Sequence, residues 1–468
     1  MNKDFGSRSA RSLVEGLNSG TWTSTEITHF FLDRIAQFNN EVHAIPYVLA
    51  EEALSQAKES DARRANGKPL SRLDGLPMTI KDTIRVKGYP STYGAWPLRN
   101  YRPKGDSQII DVLRKSGIVF LGRSAIPTGA FDWNCKNQVY PECVNPFDAS
   151  RTPGGSSGGA AAALAKGMTP LDLGSDLGGS IRYPSHCCGV YGLRTTDGWL
   201  PIEDIGPEGF GNGVRQLLTF GPMARTVEDL DLLLEVYSEK FPRDEMRKKF
   251  HAAPKLKIAY SRYILDMVPD SPTREAFERF LQHLVNQGHE LMEQQPDVDF
   301  EEVYYDWGMI AGHEYTSAFP MGLRNTMAKR IFAWWLLDRR LGKGPVTTHF
   351  KRGMLSDGKE YLAACARRKL ILEKVDRFFD EHALWILPVA PSSALPLSMC
   401  GKEISTQHGP VSYTRYVGSY TVPTTSLGTP VLACPIGSDE AGMPIGVQIH
   451  GPRFSDRWLT HVVDRFQK

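Results

Sequence analysis

A chain of 468 residues, 41% hydrophobic and 23% charged, can bury a large core, and length alone would allow about three domains. Its net charge of +2 excludes the strong pull toward nucleic acid or anionic membrane that a basic protein exerts. The seven cysteines form no C-x-x-C pair, no run reaches transmembrane length, and the opening residues carry no apolar secretory core. The reading is therefore a reduced, cytoplasmic enzyme or binding protein with no metal and no membrane span.

Residues 7–40 predict two helices. Leu13, Val14 and Leu17 sit at helical spacing, and Asn18-Ser19-Gly20 ends the first. Thr23 with Glu26 forms a capping box for the second, whose apolar face is Ile27, Phe30, Phe31, Ile35 and Phe38. A third, alanine-rich helix spans Ala50 to Asn66. Met78 to Ile80 is then a short apolar strand with Lys81 at its end. Burial of a lysine disfavours its charged form, by up to about 3–5 pKa units. Lys81 is thus either a neutral buried base or a surface lysine paired with Asp82. Asp106 or Ser107 caps a helix from Gln108 to Ser116, Gly117 ends it, and Ile118 to Gly122 follows as a strand. This β-α-β rhythm implies a parallel sheet flanked by helices.

The most informative stretch is Pro153 to Gly192. Two glycine-flanked serine clusters, Gly154–Gly159 and Gly178–Ser180, bracket a small-residue helix from Ala160 to Lys166, opened by Ser156 or Ser157 and ended by Gly167, and a short strand from Thr169 to Gly174. Glycine admits positive φ and close backbone approach, so such clusters can turn several N–H groups toward one point. A serine hydroxyl inside a ring of donors suits attack on a carbonyl.

These residues resemble the amidase signature family, serine hydrolases with a Ser-Ser-Lys triad. The matches are Gly154-Gly155-Ser156-Ser157-Gly158-Gly159, Gly174-Ser175-Asp176-Leu177-Gly178-Gly179-Ser180-Ile181-Arg182 and Cys188-Gly189-Val190-Tyr191-Gly192-Leu193. Gly75-Leu76-Pro77 with Lys81-Asp82, Gly88 and Thr92-Tyr93-Gly94 is similar to the family's catalytic lysine segment. The resemblance implies an α/β fold over 1–468 as a single large domain. Its core would be a mixed, mostly parallel twisted sheet covered on both sides by helices. The catalytic core would occupy about 70–240 and 380–460, and a variable helical region on the substrate side about 295–380.

It also implies roles. Ser180 is the nucleophile. Lys81 is the base, and Ser156, after a cis peptide from Gly155, relays the proton. The backbone N–H groups of Leu177, Gly178, Gly179 and Ser180 are oxyanion-hole candidates. Asp176 and Arg182 fix the loop, and Ser157 supports the site from beneath. His186, Cys187 and Cys188 are expected beside the pocket, with core packing the default for the cysteines. The implied activity is hydrolysis of a small-molecule carboxylic amide through an acyl-enzyme, with no cofactor and no metal; a homodimer is allowed.

The chain departs from the family at Arg123-Ser124-Ala125-Ile126-Pro127-Thr128, where Lys-Thr-Asn and a later Glu are commoner, and at Arg194-Thr195-Thr196, where Lys-Pro-Thr is usual. Thr226 caps a packing helix from Val227 to Tyr237. Residues 255–298 read β-α-β, with Lys255 to Tyr260 first, a helix capped by Ser271 with Pro272 at its first position, then His289 to Glu293. The aromatic-basic segment 328–352, with Ile331, Phe332, Trp334, Trp335, Leu336 and Leu337 among Lys329, Arg330, Arg339 and Arg340, reads as a cap over the pocket or a buried partner face rather than a membrane-surface helix. Leu384 to Val389 is an apolar strand, and Thr424 to Gly451 closes the core.

Three rival readings compete. An amidotransferase component that works on glutamine shares the chemistry, although the sequence after Asp197 does not look like that subgroup. Gly155-Ser156-Ser157-Gly158-Gly159 also fits G-x-S-x-G, which would make Ser157 the nucleophile of an α/β-hydrolase-type esterase with His450 as base. That elbow needs a strand immediately before it, and Asp148 to Pro153 reads as loop. A nucleotide-binding protein lacks the required G-K-[ST].

Overall fold

The computed structural model describes residues 4–202, 206–208, 214–242, 255–317, 337 and 341–467. The helix pair forms as expected, α1 over Ala10–Asn18 and α2 over Ser24–Val42, and both halves of the Thr23–Glu26 capping box are made. After β1 (Tyr47–Val48) and α3 (Ala50–Ala65) come β2 (Pro77–Lys81), α4 (Gln108–Lys115) and β3 (Val119–Ser124). Ser107 takes the N-cap of α4 without a side-chain bond. Asp106 instead accepts from Arg114 and from the Lys87 N–H. The signature supplies α5 (Gly158–Ala165), β4 (Leu171–Asp176) and α6 (Arg182–Cys188).

Beyond it lie β5 (Tyr191–Arg194), β6 (Thr219–Ala224), α7 (Val227–Lys240), β7 (Lys257–Tyr260), α8 (Ser271–Asn286), β8 (Glu290–Glu293) and α9 (Phe300–Ser317). The cap of α8 is Asp270 rather than Ser271, its carboxylate accepting from Thr273 N–H at 3.0 Å, because Pro272 fits as readily at the second helical position as at the first. Helices Pro345–Leu355 and Lys359–Glu381 precede β9 (Leu384–Pro388). A small ribbon, β10 (Ile404–Thr406) with β11 (Gly409–Val411), precedes β12 (Val431–Ser438) and β13 (Pro444–His450). Of the aromatic-basic segment, Ile331, Phe332, Trp334, Trp335, Leu336, Lys329, Arg330, Arg339 and Arg340 lie outside the described residues.

One eleven-stranded sheet runs in the order β1-β3-β2-β4-β6-β5-β12-β13-β9-β7-β8. The expected mixed sheet forms. Its parallel pairs are the two blocks built from β-α-β units, β3-β2-β4 and β9-β7-β8. The middle is antiparallel, from β4-β6 through β6-β5, β5-β12, β12-β13 and β13-β9. The rhythm of the flanks does not extend there because no helical crossover joins β12 to β13, which a short turn connects as a hairpin. Helices cover both faces. Leu13, Ile27, Phe31 and Leu230 belong to one apolar cluster of the core, and Ala160, Leu164, Trp307 and Phe350 to another.

The chain passes from β2 to β3 on one side and returns past it to β4 on the other, so the carboxyl ends of β2 and β4 are neighbours. Open sheets with helices on both faces bind ligands outside such ends. Lys81 closes β2 and Asp176 closes β4.

Candidate active site

Lys81 is fully buried, which removes the reading of a surface lysine paired with Asp82. Asp82 instead accepts from the Thr92 N–H at 2.8 Å and from its hydroxyl at 2.5 Å. The Lys81 Nζ lies 2.8 Å from Ser156 Oγ, 2.8 Å from Ser157 Oγ and 3.1 Å from the Ser175 carbonyl oxygen. Burial pulls its pKa down to about 7, against the smaller opposing pulls of Asp176, Cys135 and Asp172. Arg123, at the departure from the family pattern, donates to the carbonyls of Lys81 and Ile84 and so holds the end of β2.

The Gly155–Ser156 peptide is cis, as the resemblance implied. Gly155 has no room for a side chain, since a Cβ would lie 2.3 Å from the Asn134 carbonyl. Ser157 is buried and takes the N-cap position of α5, a helix buried from Gly158 to Leu164. Its N–H donates to the Ser180 carbonyl at 3.0 Å, which ties the first serine cluster to the second. No strand leads directly into Ser157, and its hydroxyl faces Lys81. His450 is buried with Nδ1 2.9 Å from Thr429 Oγ1 and its ring against Trp385. The elbow reading with a Ser157–His450 pair is therefore incorrect.

The loop Leu177–Ser180 is pinned through its carbonyls. Trp307 Nε1 donates to Leu177 O at 2.8 Å, Trp133 Nε1 and Thr421 Oγ1 donate to Gly178 O at 3.0 Å each, and Tyr183 N–H donates to Gly179 O at 2.8 Å. In a trans peptide the N–H points opposite the carbonyl, so fixing these oxygens also fixes the following N–H groups. Gly179 departs from the expected donor set. Its N–H donates to Asp176 Oδ1 at 2.8 Å because the carboxylate lies directly behind the turn. At φ 108°, with a Cβ position only 2.3 Å from Thr421 Oγ1, residue 179 must be glycine. Leu177, Gly178 and Ser180 remain as candidate donors. Ser180, Leu177 and Gly178 border a pocket whose other walls include Phe131, Asp132, Trp133, Trp307 and Val346.

Asp176 and Arg182 form a buried pair with Nη2–Oδ1 at 3.0 Å. Burial pushes the Asp176 carboxyl up, but Arg182, Arg194 and the Gly179 N–H outweigh it and hold the group below the usual carboxylate range. Arg182 also donates to Thr424 Oγ1, Gln448 Oε1, Thr425 Oγ1 and the Thr421 carbonyl. Arg182→Met is expected to destabilise the fold by about 3–5 kcal/mol, because it strands a buried carboxylate. Urea unfolding of parent and variant measures this.

His186 is bracketed within the core, Nδ1 accepting from Gly446 N–H at 2.9 Å and Nε2 2.9 Å from the Ser392 carbonyl. Cys187 and Cys188 are fully buried, as core packing requires. The sequence reading missed Trp133, Trp307 and Thr421, whose donors anchor the loop, since nothing in their local sequence marks them.

The amidase family's sequence profile matches residues 26–459. The chain is 30% identical to the A component of the glutamyl-tRNA(Gln) amidotransferase of Leptospira interrogans over 95% of its length and 93% of that protein's. It is 31% identical to the corresponding component from Chloroflexus aggregans over 97% and 94%. A crystal structure of an amidase superposes with a TM-score of 0.81 at 25% identity, covering 98% of this chain and 99% of the other.

Proposed function

The chain belongs to the amidase family, and from that premise we propose that it cleaves a carboxylic amide through an acyl-enzyme on Ser180. The observation that carries the proposal is the buried Lys81 amine, equidistant at 2.8 Å from two hydroxyls beneath the loop that bears Ser180. A neutral amine has two hydrogens and one lone pair. One hydrogen goes to the Ser175 carbonyl and one to Ser157, whose own proton faces the same carbonyl at 3.5 Å. The lone pair is then left for the Ser156 proton.

Ser156 passes its proton to Lys81 and takes one from Ser180 as Ser180 Oγ bonds to the substrate carbonyl carbon. The developing oxyanion is held by N–H groups of Leu177, Gly178 and Ser180. Such donors act without reorganising, and loss of one typically costs about 2.7–4 kcal/mol of barrier. As the tetrahedral carbon collapses, the C–N bond breaks and the Lys81 proton returns through Ser156 to the leaving nitrogen. Water then attacks the ester by the reverse relay and releases the acid. Asp176 and Arg182 position the loop, and Ser157 positions the amine.

A second reading, favoured by the curated relatives, is an amidotransferase component that draws ammonia from glutamine. The two share every step up to the acyl-enzyme and differ in the substrate side chain. The pocket beside Ser180 combines the aromatic and aliphatic walls of Phe131, Trp133, Trp307 and Val346, which suit an apolar acyl or amine group, with the Asp132 carboxylate, which suits the ammonium of glutamine. A panel of aryl, alkyl and amino-acid amides decides between them. Apolar amides are expected to exceed glutamine in kcat/KM by at least about tenfold, the effect of 1.4 kcal/mol. Preference for glutamine, or ammonia transfer only with partner proteins present, selects the second reading.

A further inference from the structure

Three side chains pin carbonyls of the loop Leu177–Ser180, and the peptides they hold differ in what their N–H groups are doing. Trp133 Nε1 and Thr421 Oγ1 both donate to Gly178 O. The N–H of that peptide belongs to Gly179 and is already given to Asp176 Oδ1. Gly179 O is held by a backbone group, the Tyr183 N–H. Trp307 Nε1 donates to Leu177 O at 2.8 Å, and the N–H of that peptide belongs to Gly178, a candidate oxyanion donor. Among the described residues, Trp307 is thus the side chain that orients a loop N–H not already spent on Asp176.

Trp307 is 3% exposed and comes from α9. Its indole lies close along the loop, since a Cβ built at Gly178 would stand 3.1 Å from Trp307 Cζ2. Phe350 packs against it with ring centroids 6.2 Å apart. The same indole borders the pocket beside Ser180. Its bond to Leu177 O does two things to the Leu177–Gly178 peptide. It sets the peptide plane and so the direction of the Gly178 N–H. It also polarises the peptide, which makes that N–H a stronger donor. A donor aimed in advance needs no reorganisation as charge develops on the substrate oxygen. We propose that Trp307 is a positioning residue of the oxyanion hole, so that one side chain both walls the pocket and aims the Gly178 N–H. This rests on the acyl-enzyme reading above.

Two variants of the full chain test it. Trp307→Phe keeps an aromatic ring and removes the N–H, and benzothienylalanine at position 307 keeps the bicyclic shape and removes the N–H alone. The measurements are kcat and KM on amides of graded acyl size, with circular dichroism to verify that each variant is folded. The isostere is expected to lower kcat by about 10–100-fold, below the roughly 10²–10³-fold loss that follows deletion of a donor. The factor should be similar for every substrate and KM little changed, the signature of an interaction made in the transition state alone. Trp307→Phe should lose at least as much. Val346→Ala widens the same pocket and cannot alter a bond to the loop's carbonyls, so its effect should fall on KM and follow substrate size. An isostere with parental kcat, or one whose loss is confined to KM or to bulky substrates, overturns this proposal and leaves the acyl-enzyme reading standing. A parent that neither cleaves amides nor takes up a fluorophosphonate at Ser180 overturns both.

Discussion

Ser180→Ala is expected to lower amide turnover by about 10⁴–10⁶-fold, the range seen when the nucleophile of a serine hydrolase is removed while its oxyanion donors remain. The variant keeps the loop intact. The carbonyls of Leu177, Gly178 and Gly179 are held by Trp307, Trp133, Thr421 and Tyr183, and none of these bonds involves the Ser180 hydroxyl. The loss should therefore fall on kcat, with substrate affinity little changed. A fluorophosphonate should label Ser180 in the parent and leave the variant unlabelled, as read by peptide mass spectrometry. Near-parental rates in the variant, or labelling at Ser156 or Ser157, would show that the acyl group is carried elsewhere. Removing Ser156 together with Ser180 should add little to the single loss, because the two hydroxyls act in one step.

What the sequence made legible was whatever is encoded locally. Thr23 and Glu26 cap α2 because both partners lie within one turn. Gly154 to Arg182 announces a loop–helix–strand–loop because glycine spacing dictates backbone conformation at short range. Asp270, at the cap of α8, was hidden by the neighbouring Ser271, which offers an equally good oxygen one position later. Longer-range features were not legible. That Lys81 reaches Ser156 depends on β2 and β4 lying side by side, a property of sheet order and not of any segment. Trp133, Trp307 and Thr421 come from three distant segments to one loop, so only the fold reveals that they fix its peptide planes. The commitment of the Gly179 N–H to Asp176 has the same origin. A count of backbone donors in a glycine-rich run cannot tell which of them is already taken. The antiparallel middle of the sheet escaped a reading tuned to β-α-β rhythm, because strands β5, β6, β12 and β13 are paired across long stretches of sequence or by a turn.

Replacing Lys81 is expected to abolish turnover as fully as replacing Ser180, and the pH dependence of the parent distinguishes a base from a merely structural lysine. Burial sets the Lys81 pKa at about 7. Only the neutral amine can accept the Ser156 proton, so kcat/KM should rise about tenfold per pH unit below 7 and level off above it. Asp172 lies close enough to favour the charged amine, and Thr79 Oγ1 donates to it at 2.5 Å. Asp172→Asn removes that attraction, lowers the amine's pKa further and should carry the acid limb to lower pH. An acid limb that does not move, or that is flat from pH 5 to 9, would separate Lys81 from the proton relay. Stability supplies a second reading of the same group. In the unfolded chain Lys81 holds its proton up to 10.5, whereas in the folded chain it releases it near 7. Between those values the unfolded state binds the extra proton, so stability rises with pH across that window and is unaffected by this group below it. At about 1.4 kcal/mol per pKa unit the rise is on the order of 5 kcal/mol. Lys81→Met should lose that rise. Denaturant unfolding at pH 7 and pH 10 should therefore show the parent gaining on the variant by several kcal/mol, and an equal response in the two proteins would mean that the lysine stays charged in the fold.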